Sequence, residues 1–108
     1  MDKTNTEAVR LARDFKKNAG KKFEIDRMIL FGSQVTGKAR EGSDIDLIVV
    51  SKKMKKRGEF MSALSKEWHI TQKKNKPVDF LCYTPEEFKV KSKGITIVRD
   101  ALKEGIDV

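Results

Sequence analysis

The sequence predicts an α/β fold, a small mixed β-sheet with helices packed on one face. Three observations lead there. Runs rich in β-branched and aliphatic residues occupy positions 27–31, 44–50 and 78–83, each of strand length and bounded by turn-forming or charged residues. Between and around them lie stretches with apolar residues at helical spacing, two of them opened by threonine-led caps. No repeat, low-complexity segment or linker divides the 108 residues, so the chain is expected to form one domain, 1–108.

The elements follow in order. Thr4-Asn5-Thr6-Glu7 reads as a capping box before a helix that carries Val9, Ala12 and Phe15 on one stripe and ends near Asn18 to Gly20. Positions 27–31 form a strand that runs into Gly32-Ser33, with a short helix over 33–38. Positions 44–50 give the second strand. A helix over 59–72 follows, with Met61, Leu64, Ser65 and Trp68 at helical spacing; Trp68 is assigned to the core and its neighbour His69 to a polar face. Positions 78–83 form the third strand, in which Cys82, the only cysteine, serves as a small core filler. Thr84-Pro85-Glu86-Glu87 is a second capping box with proline at the first helical position. A last helix over 95–104 puts Ile95, Val98 and Leu102 on one face and stops at Gly105, and 106–108 add a short edge strand.

The acidic residues carry the chemistry. Asp44 and Asp46 are two apart at the head of a strand, so both side chains project from the same face. If the strand bearing Asp79 pairs beside it, three carboxylates gather at one place. Two such charges about 4 Å apart repel by roughly 4 kcal/mol at an effective dielectric near 20, so the cluster calls for a cation or raised pKa values. Magnesium answers this need, being a hard ion that takes one or two carboxylates together with substrate phosphates.

Gly32 and Ser33 supply a place for those phosphates. A strand, a glycine-serine turn and the start of a helix present backbone N–H groups to an anion. Glycine lacks the Cβ that would obstruct the phosphate, and the serine hydroxyl donates to it without bringing a repelling charge. A Gly-Ser pair alone usually marks an ordinary turn, and an Asp-x-Asp alone a solvated strand end. Their order, with ten residues between Ser33 and Asp44 and a further acid on another strand, is what makes the pattern specific.

Composition narrows the partners. A formal charge of +8 favours a polyanion, whether nucleotide, RNA or an acidic protein face, without choosing among them. The lysine-rich runs 52–57 and 73–76 are expected as solvated loops near ends of the sheet. Neither a span of about 20 apolar residues nor a signal-like segment is present, so no membrane association and a cytoplasmic location are expected.

Leu30-Phe31-Gly32-Ser33, Gly37, Ser43-Asp44-Ile45-Asp46-Leu47, Val78-Asp79-Phe80 and Thr84-Pro85-Glu86-Glu87-Phe88 together resemble the minimal nucleotidyltransferases of the DNA polymerase beta superfamily. The resemblance runs from about residue 25 onward. It implies the polymerase beta-like nucleotidyltransferase fold, and catalytic and metal-holding roles for Asp44, Asp46 and Asp79 toward two magnesium ions. Asp79 would also take the proton of the attacking hydroxyl. Gly32, Ser33, Ser43 and Lys38 would bind the nucleotide. One departure is Gln34, where many relatives carry arginine; Lys38 and Arg40 lie close by in sequence to compensate. The resemblance also implies ATP as substrate and, since many minimal nucleotidyltransferases are antitoxins, a helical HEPN ribonuclease toxin as partner, silenced by transfer of AMP to a tyrosine. Two other readings stay open: an antitoxin that acts by binding alone, and a basic nucleic-acid-binding module, for which no aromatic-rich strand motif or zinc spacing speaks.

Overall fold

A computed structural model describes residues 4–39, 43–71 and 76–108. Its elements in chain order are α1 (Thr6–Ala19), β1 (Ile25–Phe31), α2 (Ser33–Thr36), β2 (Ile45–Ser51), α3 (Arg57–Thr71), β3 (Val78–Tyr83), α4 (Pro85–Ser92), α5 (Ile97–Glu104) and β4 (Ile106–Asp107). The strands form one sheet in the order β3-β2-β1-β4. β1 runs antiparallel to both β2 and β4, whereas β2 and β3 are parallel. A parallel pair cannot be closed by a hairpin, and α3 is the crossover that returns the chain to the same end of the sheet. The mixed sheet is the expected one.

Helices cover both faces of it, and the one-sided packing expected from the sequence is corrected here. On one face, Met28, Leu30, Ile45, Leu47, Val49, Phe80 and Cys82 pack under α1 and α3 through Leu11, Phe15, Leu64 and Trp68. On the other, Ile29, Phe31, Ile48 and Val50 pack under Phe88 of α4 and Val98 and Ala101 of α5. The cause lies in β2, where Leu47 to Ser51 are all buried. A strand apolar at successive positions must be covered on both sides, and only an alternating strand leaves one side for water.

Trp68 is fully buried, as expected, with its ring against Phe15 and Phe80 and its indole N–H donating to the Lys76 carbonyl at 2.9 Å. Cys82 fills the same core, and burial pushes its thiol up to about 12. Thr84 forms the expected reciprocal box with Glu87, with Pro85 at the start of α4. The first helix differs. Its cap is Asn5 and not Thr4, the Asn5 side chain accepting from the N–H groups of Glu7 and Ala8. The last helix starts after Thr96, whose hydroxyl caps it, so Ile95 stands outside the helix and is 96% exposed instead of sharing a face with Val98. Gln72, at the expected end of the third helix, lies outside the described residues, as do Lys73, Lys74, Asn75 and Arg40.

Candidate active site

The acids stand at the end of the sheet where parallel β2 and β3 begin. Asp46 and Asp79 are register partners across the β2–β3 ladder. Leu47 and Phe80, one step further along, belong to the core beneath α1 and α3, so the two acids point to the opposite face. Neighbouring strands are about 4.8 Å apart, which makes the two carboxylates close neighbours. Asp44 precedes β2 and is exposed. Burial, then the charges of Asp79 and Asp44, raise the Asp46 carboxyl above its ordinary value. The charges of Asp79 and Asp44 thus both reach Asp46.

Gly32 meets the same place from the other side. The β1–β2 ladder pairs Phe31 with Asp46, so the chain leaves β1 beside that carboxylate. Gly32 has φ of 79°, and a Cβ there would fall on the Asp46 carboxylate. Both the backbone conformation and the space require glycine. The turn then closes through bonds from the Val35 and Thr36 N–H groups to the Gly32 carbonyl, and Gly37, left-handed at φ 83°, ends α2 by donating to the Ser33 carbonyl. Ser33 is half-buried at this turn, Ser43 is half-buried just before the acids, and Lys38 is exposed.

The donors suit magnesium in kind: carboxylate oxygens, crowded enough to repel, beside a glycine whose side-chain space one of them fills. Among the described residues no group of three or more His, Cys, Asp or Glu side chains is arranged to hold a metal ion by itself. Magnesium seldom has an all-protein cage, because it keeps waters and draws its other ligands from phosphates.

A hollow of about 320 Å3 lies on this face, lined by Phe31, Gly32 and Asp46 and by Ile97, Asp100, Ala101 and Glu104 of α5. The sequence reading missed the α5 residues, because only the packing of that helix over the sheet brings them to Asp46. It also missed what Gln34 does. This side chain is 2% exposed and bonded to Asn5 and to the carbonyls of Ser43 and Asp44. Wider hollows of about 490 Å3 beside α1 and about 660 Å3 among Lys22, Lys53, Lys55 and Lys56 lie away from the acids. The smaller hollow is the one that adjoins the Asp46–Asp79 pair.

Comparison with known proteins gives one family. The family profile described as "Nucleotidyltransferase domain" matches residues 11–108. Among solved structures, the chain is similar to a protein of Sulfolobus solfataricus described as a candidate nucleotidyltransferase, with 18% sequence identity and a TM-score of 0.62. The match covers 95% of this chain and 80% of that one, a likeness of fold. No curated protein matches the sequence.

Proposed function

Because the chain belongs to the nucleotidyltransferase domain family, we propose that it moves AMP from ATP to a hydroxyl group, with Asp44, Asp46 and Asp79 as the metal-holding and catalytic residues. The observation that carries this reading is the register pairing of Asp46 with Asp79, with Gly32 fitted against the Asp46 carboxylate. Asp44 and Asp46 would hold the ion that grips the triphosphate, and all three acids a second one near the hydroxyl. When bound, the metal supplies charge neutralisation and keeps the entering and leaving oxygens in line.

The chain's own residues do the rest. The hydroxyl oxygen forms a bond to the α-phosphorus while the bond to the β-phosphate oxygen breaks, and pyrophosphate leaves with that electron pair. Asp79 accepts the hydroxyl proton. Helix starts leave their first N–H groups without intrahelical partners, so the Ser33 and Gln34 N–H groups and the Ser33 hydroxyl are the donors offered to the phosphates at the turn beside Gly32. Lys38, exposed just past α2, adds a cation, and Ser43 a hydroxyl at the mouth of the acid strand. Holding these groups in place contributes most of the acceleration.

The acceptor proposed is a tyrosine of a HEPN-type toxin, a reading supported by the resemblance to minimal nucleotidyltransferase antitoxins. ATP as donor and a chain whose only cysteine is buried agree with a cytoplasmic setting. The lysine-lined hollow favours polyanion binding as the second reading; retention of RNA that weakens steeply with salt, without nucleotide turnover, is its signature. The deciding experiment incubates the protein with a HEPN partner, labelled ATP and magnesium. AMP added to the partner, lost in Asp44→Asn and Asp46→Asn, supports transfer; no release of pyrophosphate with any acceptor refutes it.

A further inference from the structure

Resting on the nucleotidyl-transfer reading, we propose that Gln34 is a positioning residue that fixes the spacing between the phosphate turn and the acidic strand. Gln34 is polar, yet 2% exposed, and its amide is fully engaged. Oε1 accepts from Asn5 Nδ2 at 2.7 Å. Nε2 donates to the Ser43 carbonyl at 3.3 Å and the Asp44 carbonyl at 3.2 Å. A primary amide has two N–H donors, enough for the two carbonyls. The backbone joins in, with the Asn5 N–H donating to the Gln34 carbonyl at 2.7 Å. Three segments therefore meet on one side chain: the cap of α1, the turn after Gly32, and the approach to β2.

The sheet holds the Asp44–Ile45 peptide only from the β3 side, where the Ile45 N–H donates to the Pro77 carbonyl at 2.9 Å. The β1–β2 ladder ends at the pair Phe31 and Asp46, and β2 itself begins at Ile45. Asp46 is thus placed by strand pairing, while Asp44 lies beyond it. The Gln34 amide ties the Asp44 carbonyl to the turn after Gly32. The tie spans ten residues in sequence and joins the two halves of the site. Group transfer tolerates little slack, since a 1 Å misplacement can cost about a hundredfold. Engaged this way, Gln34 is turned from the phosphates, so triphosphate charge falls to other groups such as Lys38.

Three variants separate positioning from folding. Gln34→Glu keeps the shape but turns a carboxylate on two carbonyls and loses both donors. Gln34→Arg keeps donors and removes the acceptor that Asn5 needs. Asn5→Asp retains an α1 cap acceptor and replaces the donor to Oε1 with a charged acceptor. Each is assayed well below its own melting temperature for kcat, for the magnesium midpoint of transfer, and for amide hydrogen exchange at residues 43–48. The expectation is a fall in kcat of about ten- to a hundredfold in the Gln34 variants, a higher magnesium midpoint and faster exchange at 43–48, with Asn5→Asp intermediate. A lower melting temperature with unchanged kcat and magnesium midpoint would leave Gln34 a stability residue and overturn the proposal. Absence of transfer in the unsubstituted protein sinks the nucleotidyl-transfer reading instead. The exchange measurement still decides the tie in that case: unaltered exchange at 43–48 in Gln34→Glu overturns it.

Discussion

Asp46 and Asp79 face one another across parallel strands, and the charge of the second helps to raise the carboxyl of the first. The parallel ladder between β2 and β3 sets the backbone spacing of the pair, so the two charges are kept near one another. Removing one charge should therefore help the metal-free fold while ending its chemistry. Asp46→Asn is expected to raise the melting temperature in chelator and to abolish magnesium-dependent pyrophosphate release. Asp79→Asn should retain nucleotide binding and lose transfer, because its proposed duty is on the hydroxyl side. Calorimetry with and without magnesium, beside the transfer assay, checks both. Normal turnover in either variant refutes the assignment.

Gly32→Ala tests the fit between the turn and the acid. The substitution places a methyl group against the Asp46 carboxylate at a backbone φ of 79°. The strain should cost about 1–3 kcal/mol and push Asp46 aside. Urea unfolding reads the first effect and nucleotide turnover the second. An alanine variant as stable and active as the parent would show that this close approach has no consequence.

The start of α4 should respond to acid. Hydrogen bonding from Arg57, then from the Thr84 backbone N–H, holds the Glu87 carboxyl below its ordinary value. A depressed folded pKa means the stabilisation is complete above the ordinary carboxylate range and is lost as the pH falls through the lowered value. Glu87→Gln preserves the cap and removes the charge. Since the Arg57 and Glu87 side chains are 46% and 39% exposed, the cost at neutral pH should be small, about 0–1 kcal/mol. Denaturation midpoints of parent and variant should differ at neutral pH and converge as acid protonates Glu87 below the ordinary carboxylate range. A constant gap across that range contradicts the account.

Trp68→Ala should be the most damaging of the core changes. The ring is fully buried between Phe15 and Phe80 and its N–H is bonded to Lys76. Removing it leaves a large cavity and an unpaired carbonyl, at a cost of about 3–5 kcal/mol. Trp68→Phe keeps a ring against Phe15 and Phe80, so it should lower stability less and leave transfer nearly unchanged. Thermal unfolding of the two variants checks the order.

The face taken by Asp46 and by Asp79 follows from a strand's period of two, whereas their meeting depends on β3 lying beside β2, which the sequence offered only as a condition. The cap at Thr84 was legible because it is written within four adjacent residues. The second helical layer was missed although β2 announced it, since uninterrupted burial from Leu47 to Ser51 leaves neither face for water. Asn5 displaced Thr4 as the α1 cap because its side chain also serves Gln34, 29 residues away. Such a contact leaves no local pattern, and the same holds for Asp100 and Glu104, brought beside Asp46 only when α5 packs across the sheet.

Strand order gives the two facing acids unequal anchorage. Asp46 belongs to an inner strand, hemmed by a neighbour to left and right; Asp79 belongs to the outermost one, moored along a single margin. One carboxylate is thus the fixed jaw of a vice and the other the jaw with fewer bolts.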